Sequence, residues 1–157
     1  MKRPAAALAA LLLPLTACAA QDADGEGPRL TVTGAYVRQP PMPDMAAGYL
    51  TVGNSGPDAD TLVAASSDIS GEVQLHTTTP EGKMRQVESW AVPARGRLEL
   101  SMGGDHLMLM RLKRIPKVGD TVTFTLRFAT SPPMTVRAPV KPTGYRPGSP
   151  GTEHDHG

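Results

Sequence analysis

Short runs of alternating apolar and polar residues, broken by Gly, Pro, Asn, Asp and Ser, extend from Leu30 to about Val140. A two-residue period of this kind marks half-buried β-strands. It predicts strands over residues 30–37, 48–52, 60–65, 72–76, 84–90, 97–100, 106–112, 121–128 and 134–138. Turn residues separate them: Asn54-Ser55-Gly56-Pro57, Pro80-Glu81-Gly82 and Gly103-Gly104-Asp105 all hold glycine, which supplies the positive φ of tight reversals. Few segments outside the N-terminus keep a helical period. The pattern therefore predicts an all-β domain, an antiparallel β-sandwich or barrel with Greek-key connections. With one Trp, three Tyr and two Phe in the chain, the core has to come mainly from Val, Leu, Ala and Ile, with Trp90 as a large anchor. Met134 reads as a flexible filler of a core gap ahead of an edge strand.

The same alternation singles out two strands. In 106–112, Leu107 and Leu109 point to one face while His106, Met108 and Met110 share the other. In 72–76, Val73 and Leu75 face the core and Gln74 and His76 oppose them. Both histidines of the folded part thus sit opposite the apolar face of their strands. The chain has eight Met against two Phe, yet Met108 is not needed as core filler where Leu107 and Leu109 already serve. Met110 would lie roughly 6–7 Å beyond Met108 along the strand and reads as a packing residue or one that supports the ligands without binding the ion. Imidazole nitrogen and thioether sulfur form a soft, uncharged donor set that suits Cu(I). Zinc or calcium would call for thiolates, more histidines or carboxylates.

At 157 residues and a formal net charge of +1, the chain fits one globular domain with extensions, and it carries no basic field for nucleic acid. Lys2 and Arg3 precede an apolar stretch from Ala5 to Leu13, too short to span a membrane. Leu15-Thr16-Ala17-Cys18 follows and resembles a bacterial lipoprotein signal. That makes residues 1–17 a signal peptide and Cys18 the lipidated first mature residue, on the outer face of a bacterial membrane, at the cell surface or in the periplasm. The alternative is a plain secretory signal cleaved near Ala17 or Ala20. Residues 18–29 are small and acidic and read as a flexible tether, 30–140 as the domain, and 141–157 as a disordered Pro- and Gly-rich tail. In that tail Glu153-His154-Asp155-His156 offers harder nitrogen and oxygen donors, a secondary site for Cu(II) at His154 and His156 or merely a solvated spacer.

With Cys18 committed to lipid, no thiol is left in the domain, so neither a disulfide nor the thiolate of a blue-copper electron carrier is available. No G-x-S-x-G nucleophile motif appears, and a Met-rich site lacks the hard-metal positions of hydrolysis, which argues against an enzyme. The remaining rival is a sequestering or structural lipoprotein module without transfer activity.

Met84 is followed by twenty-one residues and then His106-Leu107-Met108. In this spacing the chain resembles the periplasmic copper chaperones called PCuAC, whose signature is His or Met, ten residues, Met, twenty-one residues, His-x-Met. Only seven residues separate His76 from Met84, and the family distance counted back from Met84 falls on Val73, which cannot ligate. A loop at 77–83 shortened by three residues accounts for the difference. Ala47-Gly48-Tyr49-Leu50-Thr51-Val52-Gly53-Asn54 and Val73-Gln74-Leu75-His76-Thr77-Thr78 are similar to other blocks of the family. The resemblance implies a cupredoxin-like β-sandwich that binds Cu(I) at a partly exposed site through His76, Met84, His106 and Met108. It further implies delivery of the ion to a partner, a cytochrome c oxidase subunit or a thioredoxin-like copper protein.

Overall fold

The computed structural model describes residues 26–148. Its regular elements are ten strands: β1 (Leu30–Arg38), β2 (Met45–Asn54), β3 (Asp60–Ser67), β4 (Ser70–Thr78), β5 (Met84–Val87), β6 (Trp90–Val92), β7 (Gly96–Leu100), β8 (His106–Leu112), β9 (Thr121–Phe128) and β10 (Met134–Lys141). They run in the order β5-β4-β8-β2-β1-β10-β9-β3-β6, with β7 also on β2. Pairing is antiparallel except between β1 and β10, where Val37 and Val140 are parallel partners. That one parallel junction joins two layers. Leu50, Leu107 and Leu109 of the first pack into one core with Leu62, Phe124 and Leu126 of the second.

Three expectations are corrected here. The segment 84–90 is two strands, because the chain changes layer at Glu88 and Ser89: β5 pairs with β4, whereas Trp90 of β6 pairs with Leu62 of β3. Trp90 is only half-buried, and Phe124, fully buried, is the large core anchor instead. Nor is β10 an edge strand, since it lies between β1 and β9; Met134 does pack against the core, half-buried.

Two glycines shape the first layer, Gly48 by close packing and Gly34 by its backbone conformation. A Cβ on Gly48 would stand 2.6 Å from the Phe124 ring, so glycine there is what lets the second layer's largest core side chain seat on β2. Gly34 adopts φ 61° where the β1–β2 register shifts between Thr33 and Tyr36. This bulge adds a residue to β1 and brings Tyr36 opposite Tyr49, their rings stacked at 5.0 Å. A buried carboxylate ties the far end of the second layer. Asp60 accepts hydrogen bonds from the backbone N–H groups of Thr61, Thr130 and Ser131 at 2.7–3.0 Å. Burial alone would raise its pKa, but these bonds prevail and hold it at about 2.

Gly48→Ala should cost about 1–3 kcal/mol through overpacking against a ring with no room to retreat. Leu107→Ala, at a position with 0 % exposure, should cost about 2–5 kcal/mol by leaving a cavity. Thermal unfolding checks both, and an unchanged midpoint for Leu107→Ala would mean that β8 turns its other face to the core.

Candidate metal centre

The site begins with the register of β4 against β8. Leu75 pairs with Leu107, His76 with His106 and Gln74 with Met108. Since Leu75 and Leu107 are buried in the core, alternation sends His76, His106, Gln74 and Met108 together to the opposite face. The two imidazole rings lie 5.8 Å apart, centroid to centroid, inclined at 59°. His76 is half-buried, but His106 and Met108 are only 5 % and 7 % exposed. The face turned away from the core is therefore sheltered rather than solvated.

A turn between β7 and β8 orients His106. Ser101 N–H donates to the Asp105 carbonyl at 2.9 Å and Gly104 N–H to the Ser101 carbonyl at 3.0 Å. The Gly104 carbonyl then accepts from His106 Nδ1 at 3.0 Å. A carbonyl can only accept, so Nδ1 carries the proton and Nε2 keeps its lone pair. Tyr49 flanks this ring at 6.4 Å. On the neighbouring strand His76 Nε2 lies 2.8 Å from Gln74 Oε1. Burial, and then the proximity of His106, push the His76 pKa below its ordinary value.

Met84 joins the same face by a different route. The β4–β5 hairpin closes through Thr79 N–H to the Lys83 carbonyl and Gly82 N–H to the Thr79 carbonyl, both 2.8 Å. Thr77 and Thr78 belong to β4, so the short connection begins at Thr79. His76 then pairs with Gln86 and Thr78 with Met84, which sets Met84 one row beyond the histidine pair while Met108 lies one row to the other side. Met84 is 60 % exposed. Met110 pairs with Glu72 and Met45 and is half-buried. Cys18, His154 and His156 lie outside the described residues.

Some of the surroundings were not anticipated from sequence. Met108 also lines a mainly apolar cleft of about 280 Å³ together with Arg38, Met42, Met45 and Tyr49. Gln74, whose place two residues before His76 on the same strand face was the available signal, makes the hydrogen bond to that histidine. Among the described residues no three His, Cys, Asp or Glu side chains gather into a cluster that could hold a metal ion. Beside the histidine pair, the further soft donors on this face are the thioethers of Met84 and Met108.

The family model LpqE-like, described as "Putative lipoprotein LpqE-like", matches residues 30–140. The chain belongs to the LpqE-like family. This LpqE-like chain is also 35 % identical over 147 residues to "Putative lipoprotein Lxx21020" of Leifsonia xyli subsp. xyli (strain CTCB07), covering 87 % of the chain and 88 % of that relative. Among solved structures it is similar to the solution structure of CuI-DR1885 from Deinococcus radiodurans. There the identity is 39 % and the TM-score 0.59, over 69 % of this chain and 75 % of the other. The copper-bound PCuAC domain from PmoF2 is 24 % identical with a TM-score of 0.63, over 72 % and 92 % of the two chains. The LpqE-like domain thus has the cupredoxin-like β fold of PCuAC domains.

The lowered His76 pKa can be read directly by following its ring C–H resonances with pH in the apo protein. The midpoint should fall below the ordinary 6.5. The unfolded chain then takes up this proton first, so the contribution of His76 to stability declines as pH falls below about 6.5. A midpoint at or above that value would show that the ring is not held beside His106 as described.

Proposed function

We propose that this LpqE-like protein is an extracytoplasmic copper metallochaperone that holds Cu(I) through His76, Met84, His106 and Met108. The observation that carries this reading is the His76–His106 ring pair at 5.8 Å with Met108 in the adjoining row. Two imidazoles and two thioethers make a neutral set matched to a soft monovalent ion. The similarity to CuI-DR1885, at 39 % identity, supports it. Thioethers do not titrate near neutral pH and do not enter disulfide exchange, which suits a site outside the cytoplasm. The ion passes to a copper-accepting protein, a cytochrome c oxidase subunit or a thioredoxin-like copper protein, as the PCuAC resemblance implies. The His154 and His156 tail offers Cu(II) a separate, harder landing place.

His106→Ala and Met108→Ala should each weaken Cu(I) binding by more than about tenfold, since even outer-sphere changes cost about 10–100-fold in metal affinity. Neither should unfold the domain, because both side chains lie off the main core. Competition with a Cu(I) chelator measures the affinity and circular dichroism the fold. Wild-type affinity in either variant would sink the assignment.

The proposal also places the domain on the outer face of a bacterial membrane through lipid on Cys18, a reading that the lipoprotein description of the family supports. Cys18→Ser should move the protein from the membrane fraction to the soluble one, or leave its signal unprocessed. Wild-type protein found wholly soluble would contradict the anchor.

A further inference from the structure

One side chain of the candidate site has an unexplained atom. His76 Nδ1 is buried and has no hydrogen-bond partner. An unpaired buried polar atom is costly, so its surroundings need an explanation. They supply one as a chain of polar contacts along β4. Arg111 Nη2 lies 3.1 Å from Glu72 Oε2. Gln74 Nε2 donates to Glu72 Oε1 at 2.8 Å, and Gln74 Oε1 lies 2.8 Å from His76 Nε2.

The direction of every bond in this chain follows from its first member. Arg111 pairs with Glu72 as a carboxylate, and a carboxylate only accepts. The Gln74 amide nitrogen therefore turns toward Glu72, and its oxygen is left facing His76. An amide oxygen also only accepts, so His76 carries its proton on Nε2 and its free lone pair on Nδ1. Arg111 reaches Glu72 from an unusual backbone state, φ 52° inside β8, and its Nη2 also approaches the Gly71 carbonyl at 3.4 Å. A non-glycine residue in the left-handed region of a strand is a strained position of the kind that collects at functional sites. Arg111 and Glu72 are substantially exposed, 69 % and 37 %, so their pairing adds little to stability. What it does is orient Gln74.

Resting on the copper reading above, we infer that Gln74, itself oriented by Glu72 and Arg111, is a positioning residue that presents His76 to the ion through Nδ1. His106, held by the Gly104 carbonyl, presents Nε2 instead. The two histidines have opposite tautomers, each set by an acceptor two residues before it in the sequence. Metal-ligating histidines ordinarily donate their second N–H to such an acceptor, and the unpaired Nδ1 is the lone pair this arrangement leaves to coordinate.

Long-range ¹H–¹⁵N correlation spectra of the ¹⁵N-labelled protein test this first without copper. His76 should appear as the Nε2–H form and His106 as the Nδ1–H form. Gln74→Leu should release His76 into a mixture of tautomers and weaken Cu(I) binding about 10–100-fold, while leaving His106 and the melting temperature nearly unchanged. Added Cu(I) should shift Nδ1 of His76 and Nε2 of His106. An apo His76 in the Nδ1–H form, a Gln74→Leu variant with the wild-type tautomer, or copper on Nε2 of His76 would overturn the inference even if copper binds. Correct apo tautomers with no copper shift at either ring would instead overturn the copper reading and, with it, the ligand role of Nδ1.

Discussion

The antiparallel register of β4 with β8 is the constraint on which the rest depends. It opposes Leu75 to Leu107 on the core side and His76 to His106 on the other. Because side chains alternate with period two, a slip of either strand by one residue would turn its imidazole into the core and its leucine out of it. Fully burying a leucine is worth about 1.5–3 kcal/mol, and burying an unpaired imidazole costs. The hydrophobic core therefore enforces the pairing of the histidines. Gly48, opposite Leu107 on β2, extends the same logic across the sandwich by admitting the Phe124 ring.

The four candidate donors are held with unequal firmness. His106 and Met108 belong to a central strand, flanked by β4 and β2, and are nearly inaccessible. Met84 belongs to β5, a four-residue strand at the edge of the sheet that among the described residues pairs with β4 alone, and most of its side chain is open to solvent. On the copper reading this asymmetry separates retention from release. The buried pair defines where an ion sits, and the exposed thioether is the donor that an incoming ligand can displace without moving the core.

How much of this was legible in the sequence follows from which forces are local. Alternation alone located β8 at 106–112 and β9 at 121–128, and sorted Leu107 from His106 correctly, because strand period is a local property. The break after Val87 was not legible. Whether a chain continues in one layer or crosses to the other depends on partners remote in sequence, here Leu75 for Val87 and Leu62 for Trp90. For the same reason the inner position of β10 is not legible locally, its place being decided by the parallel pairing of Val140 with Val37. Size alone argues for Trp90 in the core, but β6 is a short strand at the end of the sheet order, where a large ring stays half-covered. In the site, the histidines and Met108 could be found from donor chemistry and spacing. The place of Gln74 on the face of His76 was legible by the same alternation, but its orientation was not, because that depends on Arg111 reaching Glu72 from β8.

The polar chain also bears on which ions the site would accept. Each imidazole has one nitrogen engaged with a neutral acceptor, Gly104 oxygen for His106 and Gln74 oxygen for His76, and so has a single lone pair to offer. Glu72 is the carboxylate on the same face of β4, two rows from His76, and it is already engaged by Arg111 and by Gln74. A hard or divalent ion seeking anionic oxygen or thiolate would have to break that arrangement, which would also unfasten His76. A monovalent soft ion needs neither, since two neutral nitrogens with thioethers beside them satisfy it. Withholding Glu72 from the site and aiming His76 into it are thus two consequences of one set of hydrogen bonds.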